Sequence, residues 1–139
     1  MLCKSVQVTL PFTFPFGMES YTSVYITSNG QIGLNADPVA SAGAYDVSVY
    51  TGNYSMIVPL GHDLNPAQGG TVYVDSLNTS VFTVEWDSIR PYTGYANTYY
   101  CFQVKLYPSG DIEMIYGPMV VGTAQTDVVV RVREYALNN

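Results

Sequence analysis

"TYYCFQVKLYPSGDIEMIYG", residues Thr98 to Gly117, decides the fold. Tyr100, Phe102, Val104 and Leu106 recur at every second position with Cys101, Gln103 and Lys105 between them, the side-chain alternation of a strand that buries one face. Pro108 to Asp111 supply turn chemistry: proline presets φ, and glycine tolerates a positive φ. Ile112, Met114 and Tyr116 then resume the apolar phase. The stretch therefore reads as an antiparallel hairpin.

Similar patterns extend in both directions. "SVFTVEWDSI" places Phe82, Val84 and Trp86 on an inner face, while "MIVPLGHDL" and "GGTVYVDS" are expected to be short buried strands. In "YTSVYITSNGQIGL", Val24 and Ile26 share a face, and Asn29-Gly30 predicts a tight hairpin. Near the start, Val6, Val8, Leu10, Phe12, Phe14 and Phe16 alternate with more polar residues, so one face is expected to be apolar throughout. Pro11 and Pro15 cannot donate to a ladder, which puts this segment at a sheet edge or bends it across two sheets. In "TDVVVRVREY", Val128, Val130 and Val132 alternate with Val129, Arg131 and Arg133. Residues 35 to 55 have weak periodicity and are expected to form a long loop. Eight or nine strands, no helical window and regular turn signals predict one all-β domain over residues 1–139, an antiparallel β-sandwich of the jelly-roll or immunoglobulin-like kind.

Composition narrows the function. In 139 residues, 47% are hydrophobic, yet no run approaches the roughly 20 apolar residues of a membrane-spanning helix, so no membrane insertion is expected. Five basic against eleven acidic residues leave a net charge of −6, which opposes phosphate backbones and anionic lipid. Nucleic acid is therefore an unsuitable partner. No basic leader followed by an apolar segment stands ahead of Cys3, so a signal peptide is not expected within this sequence.

Several residues carry candidate chemistry. Glu85 and Asp87 flank the one Trp and, at ~3.3 Å per residue, stand ~6.6 Å apart on one face, a separation used by paired-carboxylate glycosidases. The plainer reading is two solvated acids. His62-Asp63 contains the one histidine, but no G-x-S-x-G elbow accompanies it, and a surface loop with Asp63 as a backbone cap is the simpler expectation. Two Cys and one His without CxxC spacing predict no zinc site, and scattered Asp37, Asp63 and Asp75 do not form a calcium loop. No metal or other cofactor is expected. Cys3 and Cys101, both on outward phases, are candidates for one disulfide; the alternatives are a bridge from Cys3 to another chain and two unlinked thiols. Asn53 and Asn78 begin glycosylation sequons.

Tyrosine is abundant, at 13 residues. Tyr21, Tyr25, Tyr45, Tyr50, Tyr54, Tyr73, Tyr92, Tyr95, Tyr99 and Tyr107 fall on polar phases or in loops, where such rings serve as contact surface. Tyr92, Tyr95 and Tyr99 cluster in "RPYTGYANTY" and are the best candidates for a ligand or partner loop.

Taken in order, "LPFTFPFG…YTSVYITSNG", "IVPLGHDL", "GGTVYV", "FTVEWDSI" and "NTYYCFQVKLYPSGDIEMIYG" resemble the nidogen-type (NIDO-like) domain over residues 10–117. Gly61-His62 departs from the family pattern, which has an aromatic residue and an acid there, and residues 35 to 55 and the tail after Gly117 are unmatched. The resemblance implies a secreted or cell-surface β-sandwich serving adhesion or matrix architecture, with no catalytic centre to carry over. The expected function is thus a non-catalytic module that joins copies of itself or neighbouring extracellular domains into a layer, stalk or fibre. Its N-terminal strand, with Val6, Val8 and Leu10, is the candidate for exchange. A carbohydrate-binding module using the loop tyrosines is the second reading.

Overall fold

A computed structural model of the chain describes residues 4–39, 55–92, 97–122 and 128–135. These residues contain nine strands: β1 (Ser5–Phe16), β2 (Glu19–Thr27), β3 (Gln31–Gly33), β4 (Met56–Gly61), β5 (Thr71–Asp75), β6 (Phe82–Ile89), β7 (Tyr100–Leu106), β8 (Ile112–Tyr116) and β9 (Val129–Arg133). They form a five-stranded sheet in the order β1-β2-β3-β4-β9 and a four-stranded sheet in the order β5-β6-β7-β8. Every pairing is antiparallel. The expected β-sandwich is observed, built from two successive meanders with β9 returning to the first sheet.

The hairpin read from residues 98–117 is β7 and β8, with Phe102 opposite Tyr116, Val104 opposite Met114 and Leu106 opposite Ile112. Its turn closes through Gly110 N donating to Tyr107 O at 2.9 Å and Tyr107 N to Asp111 O at 3.1 Å. The inner phase of β6 and β7 (Phe82, Val84, Trp86, Phe102, Val104, Leu106) is buried against Phe14, Val24, Ile26, Ile32 and Ile57 of the first sheet. Trp86 stacks on Phe102 with ring centroids 5.0 Å apart and 14° between planes. Such a pair contributes about 0.5–1.5 kcal/mol beyond its buried area. The indole N–H also crosses the sandwich, donating to Thr27 O at 3.0 Å.

Four details differ from the sequence reading. First, β1 does not bury one face uniformly: its register shifts between Thr9 and Phe14, and Val6 is 57% exposed while Leu10, Phe14 and Phe16 enter the core. Pro11 lies inside that irregularity, where a missing N–H costs no ladder bond, and β1 is a sheet edge as its prolines require. Beyond the shift, the hairpin tip reaches the segment after β9, where Met18 N donates to Glu134 Oε1 at 2.9 Å.

Second, the β2–β3 turn has three residues, Ser28 to Gly30, between the paired Thr27 and Gln31. Only Gly30 takes a positive φ there, 76°, and a Cβ on it would collide with Leu60 O. Asn29 is selected for a different reason. It is buried, its Oδ1 accepts from Leu64 N at 3.0 Å and its carbonyl accepts from His62 N at 3.3 Å.

Third, β5 is not a buried strand. It is the edge of the second sheet, with Val72 packed inward and Tyr73 54% exposed. Fourth, Tyr21, expected as contact surface, packs against the core.

The five-stranded sheet extends past the four-stranded one at β9. Val132 pairs with buried Ile57, yet Val130 and Val132 are 59% and 52% exposed, so the described residues of the second sheet leave them uncovered. Tyr116 of β8 bridges this seam, its hydroxyl donating to Pro59 O at 2.5 Å, and burial pushes that hydroxyl above the ordinary tyrosine value of 10.0.

Two outcomes follow. Asn29→Ala strands the buried Leu64 N–H and lowers stability by about 1–3 kcal/mol, read as a shift of the urea midpoint. A raised Tyr116 value means that the folded state keeps a proton the unfolded state loses. That contribution is complete below pH 10 and lost as pH rises through the folded value. Stability measured above pH 10 should therefore fall less steeply in Tyr116→Phe than in the parent chain, and the variant should lose about 0.5–1.5 kcal/mol at neutral pH.

Candidate functional site

The outer face of the four-stranded sheet carries what the inner face excludes. Because β6 puts Trp86 inward, Glu85 and Asp87 face out. Registers then fix their neighbours: Tyr73, Glu85, Gln103 and Ile115 form one row across all four strands. In the next row Thr71 pairs with Asp87. The Cys101 thiol approaches Asp87 Oδ1 at 3.7 Å, and Gly117 N donates to Cys101 O at 2.8 Å, continuing the ladder past β8. This face holds a groove of about 420 Å³, which Gly117 borders. Glu85, Asp87, Gln103, Cys101, Ile115 and Tyr99 are among the residues that line it.

One end of this groove is set by an irregularity in β6. Pairing with β7 breaks between Trp86 and Ile89, and Ser88 adopts φ 52°, a left-handed conformation uncommon outside glycine. The kink turns the Ser88 N–H onto Cys101 Sγ at 3.3 Å, while the Ser88 hydroxyl donates to Asp87 Oδ1 at 2.9 Å. Beyond Ser88 a second recess of about 230 Å³ is lined by Gln68, Gly69, Gly70, Ser88, Arg90 and Tyr99. Ser88 and Tyr99 border both spaces, so they form one interrupted trough. Tyr99 is half-buried and held by reciprocal backbone bonds with Val120, at 3.0 and 3.1 Å.

The structure thus adds Tyr99 and Cys101 to the Glu85 and Asp87 pair that the sequence already places on one face. Tyr92 stands nearby: its N–H donates to Asp63 O at 2.8 Å, and its carbonyl accepts from Gln68 Nε2 at 2.6 Å. Tyr95, Cys3 and Asn53 lie outside the described residues. Cys101 carries a free thiol. Asn78 sits in the exposed β5–β6 connection, with Oδ1 accepting from Ser80 N at 2.9 Å. Of the proposed exchange residues, Val6 is exposed, Val8 packs against the core and Leu10 is buried; residues 5–9 pair with residues 23–27 of the same chain.

His62 is not among the groove residues. It is half-buried, edge-on to the inner-face ring of Tyr100 at 6.1 Å, whereas Ser88 and Cys101 open outward. Asp37 is engaged locally, accepting from Ser5 Oγ at 2.8 Å and Val39 N at 2.9 Å, and Asp75 accepts from Leu77 N at 3.1 Å. Among the described residues no group of three or more His, Cys, Asp or Glu side chains is placed to hold a metal ion.

Sequence reasoning missed Gln103, Ser88, Gly117 and Arg90. Gln103 was visible as an outward position between Cys101 and Lys105, but only the β6–β7 register sets it opposite Glu85.

A family model described as NIDO related matches residues 3–132, longer at both ends than the 10–117 stretch that carries the resemblance, and it takes in most of β9. No curated protein and no solved structure matches the chain.

The left-handed Ser88 gives a direct check on this geometry. Ser88→Val should lower stability by about 1–2 kcal/mol in chemical denaturation, because a β-branched side chain fits that backbone poorly, whereas Ser88→Gly should be tolerated.

Proposed function

This chain belongs to the NIDO-related family, and we propose that it is a non-catalytic structural module of a larger extracellular protein that joins copies of itself or neighbouring domains. The observation that carries this reading is the uncovered apolar phase of β9. Val130 and Val132 are 59% and 52% exposed, Val128 just ahead of the strand is 41% exposed, and Tyr116, whose hydroxyl reaches Pro59 of β4, is 46% exposed. Apolar surface concentrated in this way is characteristic of protein interaction sites.

Edge chemistry supports the same choice. On β1, Pro11, Pro15 and a register shift blunt the edge, as natural sheets do to prevent unwanted pairing. On β9 the sequence is Val129-Val130-Arg131-Val132-Arg133, with no proline, and among the described residues only β4 pairs with it. A partner strand laid beside β9 would gain main-chain hydrogen bonds and cover the valines. Two of the chain's five cations lie on this strand, in a molecule of net charge −6. A two-fold β9-to-β9 pairing sets the cations of both copies on one short ladder. A head-to-tail contact with an acidic face instead pairs opposite charges, and head-to-tail contacts generate rings or fibres.

Light scattering during size exclusion tests this up to about 200 μM, a range that populates contacts of transient strength. The parent chain should exceed its monomer mass of 15.2 kDa as concentration rises, and a Val130→Lys, Val132→Lys double variant should return to it. A parent chain that stays monomeric throughout, or a double variant that associates equally, overturns the reading.

A further inference from the structure

We propose that the outer-face groove binds a neutral pyranose unit of a glycan, a function separate from the β9 edge. Its volume falls in the range of small-ligand sites, and its floor is made of paired strands, which hold side chains more rigidly than loops do. Tyr99 supplies a half-exposed aromatic wall, and Ile115 supplies an apolar one. Between them lie groups suited to hydroxyls: Glu85 and Asp87 accept, and the Gln103 amide both donates and accepts. Among the described residues neither Glu85 nor Gln103 has a side-chain hydrogen-bond partner, so this capacity is unspent. The apolar face of a sugar ring against Tyr99, with its hydroxyls on the carboxylates and amide, satisfies both kinds of surface at once.

Charge selects within that class. Two carboxylates and no cation line the larger groove, which disfavours phosphate, sulfate and uronate groups. Arg90 and Gln68 stand in the adjoining recess, where Tyr99 is shared, so a second ring has a polar contact along the same trough.

The test is an NMR titration of the full chain with cellohexaose, mannohexaose and chitohexaose, with hexagalacturonate and hexalysine as charged comparisons. At least one neutral oligosaccharide should give saturable shifts at Tyr99 and the Gln103 side-chain amide, with none from hexagalacturonate. Tyr99→Ala and Gln103→Ala should each weaken binding about tenfold. Gly117→Leu, whose Cβ would meet Cys101 Cβ at an adjustable 3.3 Å, should fill the groove and abolish it. Val130→Lys, Val132→Lys should bind normally, so failure of self-association and failure of this site are read separately. Absence of saturable shifts, shifts confined to other residues, binding of hexalysine alone, or unchanged affinity in the Tyr99 and Gln103 variants each overturns the assignment.

Discussion

The hydrogen bond from the Trp86 indole to the Thr27 carbonyl ties one sheet to the other at the centre of the sandwich. Its force comes from burial: Trp86 has no exposed surface, so an unmet indole N–H there would carry the full desolvation penalty of a buried donor. That bond requires β6 to present Trp86 inward. Period-two geometry then obliges Glu85 and Asp87 to face outward. The same bond holds the end of β2, and the turn that follows is pinned by Leu64 and His62 through Asn29. One inward aromatic thereby decides both the closure of the core and the polar character of the opposite face.

Unequal sheets decide what the core leaves outside. Five strands pack over four, and among the described residues the valines of β9 are left largely exposed. A soluble domain commonly answers such an edge with proline, a bulge or charge. On β1 the first two are present, whereas on β9 the arginines alternate with valines that stand largely in solvent. Tyr116 closes the seam only in part, by a single bond to Pro59. At roughly 25 cal/mol per Å² of apolar area, covering this strip would be favourable.

Alternation made most strands legible, because each side chain's phase is local information. The pattern Phe82-Val84-Trp86 and Tyr100-Phe102-Val104-Leu106 required no knowledge of partners to be assigned inward. Position within a sheet is not local. β5 and β9 alternate as well as β6 does, but they lie at edges, so their apolar residues are partly wetted. Asn29-Gly30 shows the same divide: the glycine was readable from turn chemistry, while the asparagine is held by Leu64, 35 residues away. The candidate site suffered most, since it is made by register. Glu85, Tyr99 and Cys101 could be named individually, but their meeting depends on β6–β7 pairing and on the kink at Ser88.

β8 connects the two surfaces. Its outward phase brings Ile115 into the groove, and its inward phase brings Tyr116 to the seam with β4. Consecutive residues on one strand thus serve opposite faces, separated by the thickness of the sheet. A ligand against Tyr99 and a neighbouring strand along β9 would not compete for the same atoms. If both are engaged, each module of an assembly contributes one groove, and repeated weak contacts combine through effective concentration rather than through the strength of any single site. The mixed apolar and polar lining of the groove suits such use, because affinity then resides in the number of modules and in the edge that gathers them.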